Sequence, residues 1–378
     1  MRTIASPGGH GVPSSRGVSR KSFLHAALGA VFPGAAGVYW APRAEAVTGA
    51  ARSGAPALRV TKVGDLTGPG ITTRFGMEAA DLGIPVRTPD GRLLFVFGDT
   101  FREARVGGGW WRSPVALYGR SLLLSDGVRW TGAVGGEQAQ QLWAYGHDSS
   151  VFSTALPSDV ITVGDTVYLH VMVNKGLGNV VWTEIWSSDD SGATWTHTGA
   201  RFPSDLHGGL FQLFTWGLGD DGYVYVCSTG FQRDKPLILH RVPSGRITDL
   251  KAYEPWGKLD GRWAWGNPPT PVLGGKFGEP CLRPLDGKWI LTWFNAGDYR
   301  IDGIVMDTPA KLSSGRRETL IWGGEWGSED DSHVAQLYGG YIIPGSTPDD
   351  LHLSVSQWNT EKGWPYRVMQ FRVRGLGS

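Results

Sequence analysis

The sequence predicts an all-β protein built as a five-bladed β-propeller. The 378-residue chain contains 56 glycines and 23 prolines, which favour turns between short strands and interrupt helices. Five segments share one pattern, a glycine turn followed by an apolar strand, and a separate segment has the Asp-box pattern found in propeller hairpins. A two-sheet β-sandwich is the alternative fold, and the blade-like spacing of the segments disfavours it.

Each repeated segment predicts one blade. The turn glycines at positions 91, 164, 222, 287 and 340 are separated by 53 to 73 residues, which is room for a four-stranded sheet and its loops. The segments are Asp90-Gly91 with Leu93–Phe97, Gly164-Asp165 with Val167–Val173, Asp221-Gly222 with Tyr223–Cys227, Asp286-Gly287 with Trp289–Trp293, and Gly339-Gly340 with Tyr341–Ile343. Five segments therefore indicate five blades.

The Asp box supports the same fold. Residues Ser188–Trp195 fit the pattern S-x-D-x-G-x-T-W. In such a hairpin the Asp and Ser side chains bind turn amides, the glycine takes a positive φ, and the tryptophan packs beneath the turn. This pattern predicts a structural device, and we assign it no catalytic role.

The N-terminal region is predicted to direct export. Ser19–Leu24 resembles a twin-arginine signal in which Lys21 replaces the second arginine, an apolar stretch runs from Ala26 to Trp40, and Ala44-Glu45-Ala46 offers a cleavage site. We therefore expect residues 1–46 to be an export signal, 47–57 a linker and 58–378 the propeller catalytic domain. The expected location is secreted or in the cell envelope, with no stable membrane insertion after processing; an uncleaved anchor is the alternative.

Charge and cysteine content exclude several classes. The formal charge is +1, from 36 basic and 35 acidic residues, so a nucleic-acid partner is not expected. Cys227 and Cys281 could form one disulfide, and neither has a Cys or His at metal-ligand spacing. No metal site and no cofactor are expected, although the sequence leaves open a structural ion such as calcium on the central axis.

Two aspartates are the strongest candidates for catalysis. Asp81 and Asp99 flank a predicted hairpin that turns at Pro89-Asp90-Gly91. If Thr88 faces Arg92, Asp81 lies opposite Asp99, with Cβ atoms about 4.5–5.5 Å apart. Like charges there are destabilising, so the pair predicts chemistry, and paired carboxylates are the groups that glycoside hydrolases use. The alternative is that the register is off by one and Asp99 is only a turn residue.

Four further candidates for substrate binding, Asp65, Arg74, Glu279 and His170, are polar or charged residues in loops or strands. Asp65, in a glycine-rich loop, could orient Arg74 or a substrate hydroxyl, or could simply form an Asx turn. Glu279, between Gly278 and a proline, should be partly desolvated, which suits a general acid; a surface turn is the alternative. His170 is interpreted first as a core histidine and second as a group facing the axis.

Three more candidates could contact sugar rings. Trp111 and Trp265 are predicted to lie in loops. If these loops surround the funnel-shaped opening at one end of the propeller axis, the exposed tryptophans could stack against sugar rings. Arg112 could bind the hydroxyl groups of a sugar ring. Rigid anchoring of the loops is the alternative for all three.

Several short motifs carry a resemblance to a known enzyme family. They are Gly64-Asp-Leu-Thr-Gly-Pro-Gly70, Arg74-Phe-Gly76, Asp81-Leu-Gly83, Phe97-Gly-Asp-Thr-Phe101, Arg112-Ser-Pro114, Arg241-Val242 and Phe277-Gly-Glu279. Over roughly residues 58–375 the chain resembles the actinobacterial endo-D-arabinanases of glycoside hydrolase family 183. The resemblance implies a five-bladed propeller that acts inside the D-arabinan of mycobacterial arabinogalactan and lipoarabinomannan, with Asp81 and Asp99 at its acidic active-site positions.

The expected function is therefore that of an exported endo-acting glycosidase that cleaves α-D-arabinofuranosyl linkages of a polysaccharide. Another five-bladed furanosidase, such as an L-arabinan or fructan hydrolase, is one alternative, and a non-catalytic glycan-binding propeller is another. If Asp81 and Asp99 are opposed, the distance between their carboxyl groups should be closer to the roughly 5–5.5 Å of retaining enzymes than to the 6.5–9.5 Å of inverting enzymes. Asp81 is the favoured nucleophile and Asp99 the favoured acid/base, with the reverse assignment open.

Overall fold

The strands of the protein form five blade sheets around a central axis and one further two-stranded sheet, in a computed structural model that describes residues 58–377. The predicted five-bladed propeller is confirmed. The expected export signal and linker, residues 1–57, lie outside the described residues. No helix in the described part is long and apolar enough to cross a membrane.

The described residues contain 24 strands and six short 3-10 helices. The strands are β1 (Arg59–Asp65), β2 (Ala79–Ala80), β3 (Ile84–Arg87), β4 (Leu93–Phe97), β5 (Thr100–Phe101), β6 (Val115–Arg120), β7 (Arg129–Ala133), β8 (Thr154–Val163), β9 (Thr166–Asn174), β10 (Val180–Ser188), β11 (Thr196–Pro203), β12 (Leu213–Leu218), β13 (Tyr223–Thr229), β14 (Ile238–Pro243), β15 (Glu254–Leu259), β16 (Arg262–Trp265), β17 (Phe277–Leu285), β18 (Lys288–Asn295), β19 (Arg300–Met306), β20 (Arg316–Gly324), β21 (His333–Ala335), β22 (Leu337–Ile342), β23 (Asp350–Trp358) and β24 (Tyr366–Arg374). The 3-10 helices are Thr73–Phe75, Leu124–Asp126, Leu206–Gly209, Ser244–Arg246, Leu250–Ala252 and Pro309–Ser314.

The blades follow one another along the chain. Blade 1 is β3-β4-β6-β7, blade 2 is β8 to β11, blade 3 is β12 to β16 and blade 4 is β17 to β21. Blade 5 contains β22, β23 and β24 and is completed by β1, the first strand of the described chain. The first strand of each blade contacts the first strands of its two neighbours, so β3, β8, β12, β17 and β22 surround the axis. The ring is thus closed by pairing the first strand with the last.

Four of the five predicted repeats mark the turn between the first and second strands of a blade, since β4, β9, β13 and β18 follow the predicted glycine turns. The fifth was placed wrongly. Gly339 and Gly340 lie inside β22 at a bulge, both with positive φ, and the corresponding turn of blade 5 contains Gly345 and precedes β23. A glycine bulge and a glycine turn look alike in sequence because both need positive φ.

The predicted Asp box is confirmed. Asp190 accepts hydrogen bonds from the Ser188 hydroxyl at 2.7 Å and the Thr194 amide at 2.8 Å. Gly192 has a φ of +90°, and the buried Trp195 indole donates to the Gly192 carbonyl at 3.1 Å. The hydroxyl of Tyr118 on β6 of blade 1 donates to the Ser191 carbonyl in this hairpin, which joins β10 to β11. The Asp box therefore lies at the same end of the propeller as the β3–β4 turn.

A buried ion pair joins blades 2, 3 and 4 near the axis. Asp159 on β8 is fully buried and accepts two hydrogen bonds from Arg283 on β17, at 2.9 and 2.6 Å. The Thr215 hydroxyl and the Trp216 amide of β12 donate to the same carboxylate. Because every oxygen of Asp159 has donors, its buried charge is compensated. Cys227 and Cys281, on blades 3 and 4, are buried and free, so the disulfide left open by the sequence is not formed.

We expect Arg283→Met to destabilise the protein by about 3–5 kcal/mol, because it leaves the buried Asp159 charge without its partner. Arg246→Met is the matched control, since Arg246 pairs with Asp249 on the exposed surface and such pairs contribute little. Urea unfolding of both variants measures the difference. Equal midpoints for the two variants would refute a structural role for the Asp159–Arg283 pair.

Candidate active site

The two candidate aspartates lie opposite each other, in the predicted register. The β3–β4 pairing and the β2–β5 pairing keep one register on either side of the two residues, which places Asp81 across from Asp99. The ladder is interrupted between them because Leu82 and Gly83 have φ values of +64° and +65°. The Gly98 amide still donates to the Asp81 carbonyl, at 3.2 Å. The geometry thus confirms the register and excludes the one-residue shift.

Asp81 is half-buried and held by two tyrosines of blade 5. Its Oδ2 accepts a hydrogen bond from the Tyr338 hydroxyl at 2.9 Å, and the Tyr366 hydroxyl also binds this carboxylate. Its Oδ1 is buried without a hydrogen-bond partner and lies over Gly98, where a Cβ would come within 2.4 Å of it. Burial, followed by the charge of Asp99, raises the pKa of Asp81 to about 7. Gly98 is therefore required to make room for this carboxylate.

Asp99 is half-buried and has hydrogen-bond donors from blades 1 and 2. Its Oδ1 accepts from the Trp111 indole at 2.8 Å and from the Thr154 hydroxyl at 3.3 Å. Burial raises the pKa of Asp99 to about 6, although the hydrogen bonds of Trp111, Thr154 and Ser113 oppose the rise. Trp111 is fixed by stacking on His147, with ring centroids 3.7 Å apart.

Glu279 supplies a third carboxylate from blade 4. It lies near the start of β17, is buried, and binds the Arg233 guanidinium through Oε1, at 2.9 Å from Nε. Its Oε2 is buried and has no hydrogen-bond partner. Its charge contributes to the raised pKa of Asp81, so the two carboxylates share one site. Glu279 and Arg233 both have positive φ, at 36° and 57°, a strained conformation that is often found at functional sites.

This arrangement can perform acid–base chemistry. Two opposed carboxyl groups with pKa values near 6 and 7 can hold one proton between them close to neutral pH, so one serves as acid while the other is ionised. A pair of carboxyl groups of which one is protonated and the other ionised is the arrangement that glycoside hydrolysis requires. Trp111, Tyr338 and Tyr366 supply aromatic side chains around the pair.

Three predicted substrate-binding residues are not brought to this site. Asp65 forms ion pairs with Lys62 and Arg367, both at 2.7 Å, and does not orient Arg74. Arg74 is exposed and donates to the Trp130 carbonyl at 2.6 Å. Trp265 lies in β16, the outermost strand of blade 3, and not in a loop. It packs against Arg241, with the guanidinium 4.4 Å from the ring centroid.

Arg112 and His170 are structural residues. The Arg112 guanidinium is buried, donates to the carbonyls of Gly76 and Ala139, and stacks on Trp110. It therefore cannot hold ring hydroxyls as predicted. His170 lies in β9, the second strand of blade 2, stacked on Phe214 with centroids 3.4 Å apart. Burial lowers its pKa, so it is a neutral core histidine, which was the favoured interpretation.

Of the predicted residues, the structure brings together Asp81, Asp99, Trp111 and Glu279. Sequence reasoning missed Tyr338, Tyr366 and Arg233. Tyr338 is in the first strand of blade 5, as Asp81 is next to the first strand of blade 1. A correct placement of the fifth repeat would have pointed to it. Arg233 lies in a loop between β13 and β14 and carries no sequence signal of its own.

No group of three or more His, Cys, Asp or Glu among residues 58–377 has the geometry to hold a metal ion. The positive partner of the Glu279 carboxylate is the Arg233 guanidinium. On the axis, the Asp159 carboxylate is likewise paired with a guanidinium, that of Arg283.

Comparison with known proteins identifies the family. Residues 67–372 match the family described as "Domain of unknown function (DUF4185)", and the chain belongs to it. An uncharacterised 35.9 kDa protein of Mycolicibacterium smegmatis is 32% identical over 335 residues, covering 83% of this chain and 98% of the relative. Notoamide biosynthesis cluster protein J' of Aspergillus versicolor is also 32% identical, over 76% of this chain and 83% of its own.

The fold is shared with a putative hydrolase from Bacteroides ovatus. That crystal structure has a TM-score of 0.59 and 14% sequence identity, and the match covers 86% of this chain and 93% of the other. At this identity the likeness concerns the fold, and function has to be argued from the site.

We expect Asp81→Asn to be more stable than the wild-type protein at pH 8. In the folded protein Asp81 keeps its proton up to a pKa of about 7, whereas an unfolded aspartate loses it near 3.8. The wild type therefore loses stability as pH rises from about 4 to 7, and asparagine removes this penalty. Thermal unfolding at pH 5 and pH 8 should show the advantage of the variant growing with pH.

Asp90→Asn is the control, because we expect this substitution to lower the stability of the folded protein. A hydrogen bond from Arg92 lowers the pKa of Asp90 to about 2, so its charge favours the folded state at both pH values. A lower melting temperature of Asp81→Asn at pH 8 would contradict the assigned electrostatics of the pair.

Proposed function

We propose that the protein is an exported glycoside hydrolase that acts inside D-arabinan, cleaving α-D-arabinofuranosyl linkages of mycobacterial arabinogalactan and lipoarabinomannan. The observation that carries the reaction class is the opposed pair of Asp81 and Asp99, with pKa values of about 7 and 6. The substrate rests on the resemblance of the first-blade motifs, which contain both aspartates, to family 183 endo-D-arabinanases. The export signal predicted in residues 1–46 agrees with a substrate outside the cell.

The environments of the two aspartates support a division of roles. Asp81 lies beside the charge of Asp99, burial and that charge raise its pKa, and its Oδ1 accepts no hydrogen bond, so we assign it as the group that keeps the proton and donates it to the glycosidic oxygen. Asp99 accepts hydrogen bonds from Trp111 and Thr154, which favour its ionised form and suit a carboxylate that attacks the anomeric carbon. This assignment reverses the one favoured by the sequence.

Glu279 supports the acid in this scheme. Its negative charge disfavours ionisation of Asp81 and so helps to keep the acid protonated near neutral pH. Its own charge is balanced by Arg233, whose guanidinium also lies over the Tyr338 ring, 4.9 Å from the centroid. Arg233 thus connects Glu279 to one of the two tyrosines that bind Asp81.

Other assignments predict different outcomes. A glycan-binding propeller would bind arabinan without cleaving it, and a different furanosidase would release sugars from L-arabinan or fructan instead. Two fungal relatives are named for notoamide biosynthesis clusters, so family membership by itself does not define a polysaccharide substrate. The assay must therefore compare several substrates.

We expect the purified protein to release oligosaccharides from mycobacterial arabinogalactan, and to release none from L-arabinan or fructan. Asp81→Asn and Asp99→Asn should each lower kcat by roughly 10²–10⁴-fold, the usual contribution of a positioned acid or base. Asp90→Asn, at the opposite end of the same hairpin, should keep wild-type turnover. Near-normal turnover in either active-site variant would reject the pair, and binding without product release would identify a lectin.

We expect the first product to keep the anomeric configuration of the substrate. Directly opposed residues have Cβ atoms about 4.5–5.5 Å apart, which favours the close carboxyl groups of retaining enzymes. ¹H NMR of the earliest product, recorded before mutarotation, distinguishes the two outcomes. An inverted product would show that Asp99 activates a water instead of attacking the sugar.

A further inference from the structure

Two exposed leucines stand out at the end of the propeller opposite the carboxylates. Leu122 is 100% exposed and Leu123 is 62% exposed, whereas the other exposed large hydrophobic residues of the described chain lie between 38% and 58%. Both are in the connection between β6 and β7, next to the turn ends of β3 and β4. Single exposed leucines are common on protein surfaces, but two adjacent ones at a loop tip form an apolar protrusion that no part of residues 58–377 covers.

A basic cavity lies beside this leucine loop. It has a volume of about 760 Å³ and is lined by blades 1 and 5, including four arginines: Arg87, Arg92, Arg120 and Arg372. Arg92 and Arg372 are ion-paired with neighbouring aspartates. The Arg87 side chain donates only to backbone carbonyls, and the Arg120 side chain has no hydrogen-bond or ion-pair partner within residues 58–377. Two positive charges at the mouth of the cavity are therefore not balanced by a carboxylate.

The strand pairing adds a third arginine, Arg129, beside Arg120. Arg120 lies directly opposite Arg129 across the β6–β7 ladder, and both are exposed. The Arg129 side chain also lacks a hydrogen-bond or ion-pair partner in the described part of the chain. Like charges directly opposite each other are destabilising unless an anion lies between them. Asp126, in the same loop, is the acidic residue nearest in sequence, and it does not pair with either arginine.

We propose that this end of the propeller docks on an anionic lipid bilayer, with Leu122 and Leu123 inserted among the acyl chains and Arg87, Arg120 and Arg129 bound to lipid phosphates. Apolar tips flanked by basic side chains are the combination that binds membrane surfaces. A free phosphate could bind the arginines but would leave the leucines in water. The proposal does not depend on the proposed hydrolase activity.

The geometry gives this docking a defined orientation. Asp81 and Asp99 lie at the other end of the β3–β4 hairpin, so the carboxylates would face away from the bilayer, toward polymers outside it. β1 begins at Arg59, paired with Arg374, near the Asp350 end of blade 5 that lines the cavity. β1 therefore begins at the same end of the propeller as the leucine loop.

Vesicle co-sedimentation of the full chain tests the proposal. The wild type should bind vesicles of phosphatidylcholine with phosphatidylglycerol more tightly than vesicles of phosphatidylcholine alone. Leu122→Asp/Leu123→Asp should weaken binding to the anionic vesicles by roughly tenfold or more, because burying each leucine contributes about a factor of ten. Arg120→Gln/Arg129→Gln should remove the preference for the anionic lipid. Since the N-terminal segment is the same in all variants, differences report on the loop and its arginines.

Leu259→Asp is the matched control, because Leu259 is 53% exposed in β15 of blade 3, away from the leucine loop. It should bind vesicles as the wild type does, and all variants should keep the wild-type melting temperature. Equal vesicle binding by the leucine variant and the wild type would overturn the proposal. Binding of inorganic phosphate with no lipid preference would overturn it in favour of a free anion. A leucine-dependent dimer without vesicles, measured by light scattering, would overturn it in favour of a second copy of the chain.

Discussion

Closure of the ring is the constraint on which the site depends. β1 completes the sheet of the last blade, and this pairing holds blade 5 against blade 1. At that seam the Ser356 hydroxyl accepts from the Leu82 amide at 2.8 Å, and the Ser354 hydroxyl donates to the Gly83 carbonyl at 2.7 Å. These bonds fix the two residues of positive φ that follow Asp81. Without closure, the candidate acid would lose both its backbone support and the two tyrosines that bind it.

Buried carboxylates have different numbers of hydrogen-bond donors in the core and in the candidate active site. Asp159 has a donor for every oxygen, mainly from Arg283, and so ties three blades together. Asp81 and Glu279 each keep one buried oxygen without a hydrogen-bond partner. At Asp81, burial and the charge of Asp99 raise the pKa to about 7, so this carboxyl group keeps a proton close to neutral pH, whereas the charge of Asp159 is paired with the Arg283 guanidinium.

Arginine side chains have different roles in different parts of this protein. Arg112 was predicted to contact sugar, yet its guanidinium is buried on two backbone carbonyls. Arg233 has no motif around it, yet it binds Glu279 and lies over Tyr338. On the opposite face, Arg120 and Arg129 have no partner in the described part of the chain. Which of these roles an arginine takes depends on the strands that pack beside it, and the sequence around the arginine does not show which strands those are.

The sequence by itself predicted the propeller, the Asp box and the opposition of Asp81 and Asp99, because each depends on turns and alternation within a short stretch of chain. A four-residue turn sets the whole β3–β4 register. Only the tertiary structure decided which other side chains reach the pair. Tyr338 binds Asp81 across 257 residues of sequence, and Arg233 binds Glu279 across 46. Such contacts arise from the packing of blades around the axis, and nothing in the local sequence specifies them.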